Sequence, residues 1–118
     1  MRLRVNALGS KTIFAERTDG ELILRRGFNI SRNSNVLIVE DVITTGKSVS
    51  ECSRIVKKNN ANLIGYACII DRLDSKRVIK DKIVSQIKFK IATFKENELP
   101  EDLKKIPAKK PGSRNLSK

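Results

Sequence analysis

Val36-Leu37-Ile38-Val39-Glu40-Asp41-Val42-Ile43-Thr44-Thr45-Gly46-Lys47-Ser48 is the stretch around which the rest of the chain is organised. It opens with four apolar, mostly β-branched residues, a pattern suited to a strand buried on both faces. Two adjacent carboxylates, Glu40 and Asp41, follow at the strand's carboxyl end. Thr44-Thr45-Gly46 then makes a short polar turn, and a helix is expected to open near Lys47. Backbone N–H groups at a helix start are free to hold an anion, and the helix dipole favours negative charge there. Open α/β sheets place their ligands at the carboxyl ends of strands, where these two acids fall. Gly46-Lys47-Ser48 matches the end of a Walker A loop, but that pattern requires glycine where Asp41 stands, so it is rejected. The bland reading of the same residues is a buried strand, a solvated acidic turn and an ordinary helix cap, and spacing alone leaves it open.

Downstream, Val49, Cys52, Ile55 and Val56 recur at helical spacing, while Glu51, Arg54, Lys57 and Lys58 fall elsewhere. This predicts an amphipathic helix from Ser48 to Asn60, ended by asparagines that tolerate left-handed geometry. Leu63 to Asp71 reads as a second buried strand. Strand, helix and strand in close succession form a βαβ unit, so the two strands should be parallel, with a right-handed crossover. The second strand ends in Asp71-Arg72. Parallel neighbours bring their carboxyl ends together, which should carry Arg72 toward the Glu40–Ser48 turn. The alternative is an Asp–Arg surface pair that closes the strand.

Upstream, Thr12 to Glu16 and Glu21 to Leu24 read as strands joined at Thr18-Asp19-Gly20, a hairpin signal. Arg17 on such a hairpin is also read as an ordinary solvated arginine. Residues 1–11 suggest the end of a helix, with Gly9 and Ser10 as a break. Ser75 to Lys82 is basic and reads as a short helix or loop. Val84 to Phe94 alternates in part and reads as an edge strand with one wet, lysine-bearing face. Glu98 to Lys105 reads as a short helix with Pro100 in its first turn.

The 118-residue length suits one small domain over residues 1–118. A chain of this size buries roughly two-thirds of its unfolded surface. Aromatic content of 4% against 39% hydrophobic means that aliphatic packing must build the core. No apolar run reaches the ~18 residues of a membrane span, and residues 1–6 lack a signal-peptide core. Cys52 and Cys68 lack metal-ligand spacing and the chain has no histidine, so both are expected as reduced core thiols of a cytoplasmic protein. The net charge of +12 fits a solvated surface, an anionic small substrate or nucleic acid. Scattered basic residues and few aromatics for base stacking weigh against nucleic acid.

Val36 to Ser48 resembles the phosphoribosyl-diphosphate (PRPP) motif of type I phosphoribosyltransferases. Four other segments are similar to orotate phosphoribosyltransferases, in the same order and at similar spacing: Ile13-Phe14-Ala15-Glu16-Arg17-Thr18-Asp19-Gly20, Leu24-Arg25-Arg26-Gly27-Phe28, Ile70-Asp71-Arg72 and Pro111-Gly112-Ser113-Arg114. The likeness covers almost the whole chain and the later part of the family's usual one. It implies an α/β fold, a phosphoribosyltransferase-like parallel sheet flanked by helices. That sheet would be incomplete on its N-terminal side, with a β-hairpin or mobile loop near the start.

The implied reaction transfers ribose 5-phosphate from PRPP to orotate, giving orotidine 5′-monophosphate and pyrophosphate. By resemblance Glu40 and Asp41 hold the ribose hydroxyls and favour the cation-like ribose carbon. Val42, Ile43, Thr44, Thr45, Gly46, Lys47 and Ser48 complete the PRPP site. Thr44 and Arg72 contact orotate, and Arg17, at the start of the family's mobile loop, stabilises the departing pyrophosphate. Magnesium is implied as an ion carried by PRPP, and a homodimer as the assembly. The family's extra lysines and histidine in the mobile loop are absent here, as are its N-terminal hood and pyrophosphate loop. Two other functions stay open: a PRPP- or nucleotide-binding relative without turnover, and a basic nucleic-acid-binding protein.

Overall fold

The computed structural model describes residues 9–107, apart from 75 and 93 and the side chain of Glu96. The expected helix end at residues 1–8 and the Pro111–Arg114 segment lie outside the described residues. Three parallel strands form the main sheet: β3 (Asn35–Ile43), β4 (Asn62–Asp71) and β5 (Ile83–Lys88), in the order β3-β4-β5. Helix α1 (Lys47–Lys58) connects β3 to β4, so the βαβ unit read from the sequence is present, with its strands parallel. The fold is α/β, as the resemblance implied.

The hairpin is present too. Strands β1 (Ala15–Thr18) and β2 (Glu21–Leu24) pair antiparallel from Ala15↔Leu24 to Thr18↔Glu21. Its two turn residues, Asp19 and Gly20, both have positive φ, 50° and 85°. Such a pair makes a primed turn, whose twist matches that of the strands it joins. The first strand starts at Ala15 rather than Thr12, and the hairpin forms a small sheet of its own, with β2 packed against α1.

The core lies between α1 and one face of the main sheet. Val49 and Val56 on the helix are buried with Ile38, Tyr66 and Cys68 on the strands. The helical face read from the sequence is confirmed, with one addition: Ser53 is also buried, its hydroxyl donating to the Ser50 carbonyl at 2.8 Å. A buried hydroxyl needs such a partner. Asn59 and Asn60 end the helix. The Asn59 side chain donates to the Ile55 carbonyl at 2.8 Å, and Asn60 takes φ 54°.

Beyond the later start of β1, the fold differs from the sequence reading in four places. The first is burial of β3, expected on both faces. Ile38 is 8% exposed but its neighbours Leu37 and Val39 are 46% and 41% exposed. Successive strand residues face opposite sides, and among the described residues only one side is covered, by α1. Second, β3 runs on to Ile43, past the Glu40-Asp41 pair that the sequence reading placed at its carboxyl end. Third, β5 stops at Lys88 instead of Phe94, because its ladder partner β4 stops at Asp71, opposite Lys88. Thr93, counted in that expected strand, lies outside the described residues. Fourth, the last helix, α2 (Glu101–Lys104), is shorter than expected and starts just after Pro100, which caps it; a 3-10 turn, Glu96–Glu98, precedes it. The described part of 75–82 is loop.

Candidate functional site: an anion-binding cleft at the end of β3

Thr44 to Gly46 link the end of β3 to α1. Gly46 takes φ 79° and ψ 12°, a left-handed conformation that L side chains resist. A second constraint acts at the same residue: a Cβ on Gly46 would stand 2.8 Å from Ile79 Cδ1, inside contact distance. Glycine is therefore required here twice over. It also gives the helix no side-chain cap. Lys47 N–H meets Thr45 Oγ1 only at 3.5 Å, so the first-turn amides of α1 are available to an outside acceptor.

A cleft of about 80 Å³ opens at this helix start, lined by Glu40 and residues 42–49. Thus Glu40, Val42, Ile43, Thr44, Thr45, Gly46, Lys47 and Ser48 all meet at one surface, and Val49 joins them. Asp41 is not in that lining. Its carboxylate accepts from Val42 N–H at 2.8 Å, beside Glu40, whose Oε1 accepts from Asp41 N–H at 3.2 Å.

The two acids are driven apart in acidity. Burial pushes the Glu40 carboxyl above its ordinary value, and its contact with Asp41 adds to this. That same contact holds Asp41 below its ordinary value, against a smaller effect of burial. Neighbouring carboxyls that titrate apart divide the roles of proton holder and anion between them. Cys52 lies close by, and burial, then Glu40 and Glu51, raise its thiol to about 11. Burial likewise raises Cys68. Both cysteines are free, and neither is an activated thiolate.

The two arginines singled out from the sequence stand outside the cleft lining. Arg17 is tied down: Nη2 bonds Glu51 Oε2 at 2.7 Å and Nη1 donates to the Gly20 carbonyl at 2.5 Å. It joins the hairpin to the first turns of α1. Arg72 follows β4 directly, and its N–H donates to the Ile43 carbonyl at 3.0 Å, which sets it beside the end of β3 as the parallel pairing predicted. Its Nε is buried without a hydrogen-bond partner among the described residues.

The alternative reading of Asp71 as half of a surface pair with Arg72 is overturned. Asp71 is 2% exposed and its ion-pair partner is Arg77. Burial pushes its carboxyl up, but the Leu73 N–H, at 3.0 Å, and the Arg77 guanidinium outweigh it, so Asp71 sits below its ordinary value. Arg77, Val78 and Ile79 went unremarked in the sequence because an irregular loop, where no periodicity marks them, brings Arg77 to Asp71 and Val78 and Ile79 against the Thr45-Gly46 turn from outside the cleft lining. Among the described residues no three His, Cys, Asp or Glu side chains gather to hold a metal, and no helix is long and apolar enough to cross a membrane.

Comparison with known proteins places these features. The family model of the phosphoribosyl transferase domain matches residues 5–104. The chain is 43% identical over 110 residues to the orotate phosphoribosyltransferase of Chlorobium phaeobacteroides (strain BS1), covering 93% of this chain and 57% of that protein. It is 43% identical over 109 residues to that of Thermoanaerobacter sp. (strain X514), covering 92% and 57%. For that of Maricaulis maris (strain MCS10) the identity is 37% over 110 residues, covering 93% and 57%. The chain therefore spans a little over half the length of these relatives. With the parallel sheet, the glycine-bearing turn and the paired acids in place, the chain belongs to the phosphoribosyl transferase domain family.

Proposed function

We propose that this chain carries the PRPP-binding half of an orotate phosphoribosyltransferase, acting in the making of orotidine 5′-monophosphate. The observation that carries the reading is the convergence of Glu40 with residues 42–49 on one cleft at an uncapped helix start. There the amides of the turn and first helical turn, with the Thr44, Thr45 and Ser48 hydroxyls, hold the 5′-phosphate of PRPP. Glu40 and Asp41 accept hydrogen bonds from the ribose hydroxyls. Their negative charge favours the cation-like ribose carbon that forms as pyrophosphate leaves. Arg72 receives the orotate carboxylate, a charge-assisted pairing suited to guanidinium. Arg17 reaches pyrophosphate only after leaving Glu51. Positioning and electrostatics carry the reaction, and no covalent nucleophile is used.

Magnesium fits as an ion that arrives with PRPP. It prefers oxygen ligands and keeps close company with substrate phosphates, and the described residues form no metal cage of their own. The cleft, about 80 Å³, is far below the roughly 300–1,000 Å³ of sites that enclose whole ligands. It suits one phosphate group. The other walls of the site come, in this reading, from elements that the relatives' longer chains carry or from a second subunit of a cytoplasmic homodimer.

The cleft's size also favours a second reading, a PRPP-binding relative without turnover. One experiment separates the two. The purified 118-residue chain is titrated calorimetrically with PRPP and magnesium, then given orotate and assayed for orotidine 5′-monophosphate. Binding with turnover supports the enzyme, and binding alone supports the second reading. No PRPP binding overturns both.

A further inference from the structure

The loop between β4 and β5 fastens itself to the end of β3 and the turn after it at three points. Arg72 N–H donates to the Ile43 carbonyl at 3.0 Å. Val78 N–H donates to the Thr45 carbonyl at 2.8 Å. Ile79, 6% exposed, seats its Cδ1 against Gly46. None of these loop residues lines the cleft.

The middle contact has a directional consequence. The Thr45–Gly46 peptide is trans, like every described peptide bond, so its C=O and N–H point opposite ways. Fixing the Thr45 carbonyl on Val78 therefore turns the Gly46 N–H away from the loop. Ile79 fills the space beside Gly46 where a side chain would stand, crowding the same peptide from that side. Together they decide where one amide of the turn aims.

The loop is itself fixed by a buried charge. Asp71 accepts from Leu73 N–H at 3.0 Å and from the Arg77 guanidinium, while its own carbonyl accepts from Phe89 N–H at 3.0 Å. Arg77 stands directly before Val78 in the chain. Where Asp71 holds Arg77, the Val78 N–H is held too. A carboxylate 2% exposed does not tolerate loss of its cation, since an uncompensated buried charge is strongly unfavourable.

We propose that Arg77, through its ion pair with Asp71, and Ile79 are positioning residues: they aim the Gly46 amide for phosphate without touching the ligand. The claim rests on reading the cleft as the 5′-phosphate site. Arg77→Gln, Arg77→Lys and Ile79→Val are compared with the unaltered 118-residue chain by amide hydrogen exchange and by PRPP–magnesium titration. Ile79→Val deletes Cδ1, the atom against Gly46, with little loss of core volume.

Exchange at Val78, whose N–H holds the Thr45 carbonyl, and at Ser50, whose N–H holds the Gly46 carbonyl, is expected to quicken about tenfold in Arg77→Gln and Ile79→Val, with sheet amides such as Val39 and Tyr66 unchanged. PRPP binding is expected to weaken about tenfold in both. Arg77→Lys restores most of each loss, because the charge is kept. Val78 and Ser50 amides that exchange as in the unaltered chain overturn the proposal, as does equal quickening there and in the sheet. Should Arg77→Gln fail to fold, the Ile79→Val exchange pattern decides. Should the unaltered chain bind no PRPP, the phosphate reading falls while the exchange comparison still tests the positioning claim.

Discussion

At the scale of single residues the site holds one carboxyl against its interest. Glu40 has its acidity lowered by burial, its folded pKa lying above 4.5. A raised carboxyl contributes stability below its unfolded pKa and loses it as pH rises through the folded value. Glu40→Gln is therefore expected to stabilise the fold at neutral pH while weakening PRPP binding. Thermal melts at neutral pH and near pH 4 check the sign: the gain should vanish at the lower pH. Asp71 acts in the opposite sense. Lowered below 3.8, it contributes stability above 3.8 that is lost as pH falls through its folded value. Melts of Asp71→Asn should lose that acid dependence below 3.8 and be destabilised above it. Asp41, also lowered but outside the core, has the same sign and a smaller effect: Asp41→Asn should lower the melting temperature only slightly at neutral pH, since the amide oxygen can still accept from Val42 N–H. It should weaken PRPP binding on the order of tenfold, the worth of a hydrogen bond to a charged acceptor. Titration and a melt on the same sample read both effects, and an unchanged PRPP affinity removes Asp41 from the site.

At the scale of elements, Arg17 and Glu51 join the hairpin to α1. Their side chains are 39% and 19% exposed, so solvent screens the pair, and Glu51→Gln should cost under about 1 kcal/mol. The same substitution frees Arg17 for pyrophosphate, so release from Glu51 should raise PRPP affinity rather than lower it. A titration alongside a denaturant melt measures both. Elements were legible in the sequence wherever a local rule fixes them. Asp19-Gly20 names its own turn, the spacing of Val49 and Val56 names a helix face, and Val36 to Asp41 names a strand. The end of β5 was not legible, because it is set by the end of its partner β4. The cleft lining could be read from residues 40–48, since one turn brings them together. The buried partner of Asp71 could not, since Arg77 meets it through a loop without regular period.

At the scale of the whole molecule, the least local misreading was burial of the sheet's second face. Val39, Ala67 and Val84 stand in register across the three strands, and Val39 and Val84 are 41% and 65% exposed. Leu37 and Ile69 flank them at 46% and 40%. Whether a row of aliphatic residues is buried depends on a second layer, which strand composition alone does not report. Parallel sheets are ordinarily covered on both faces. An uncovered one gains free energy by burying that apolar row against anything it meets, at roughly 25 cal/mol per Å². Opposing this is the net charge of +12, which repels one copy from another. The repulsion is long-ranged and screened by salt, with a Debye length of about 10 Å at 0.1 M, whereas apolar burial is not screened. The 118-residue chain should therefore self-associate more strongly as ionic strength rises. Val39→Lys with Val84→Lys should abolish that rise, because the new charges sit on the contact face itself. Sedimentation at low and high salt measures it. Association that weakens with salt, or persists in the double variant, would show that this face is not what the molecules join.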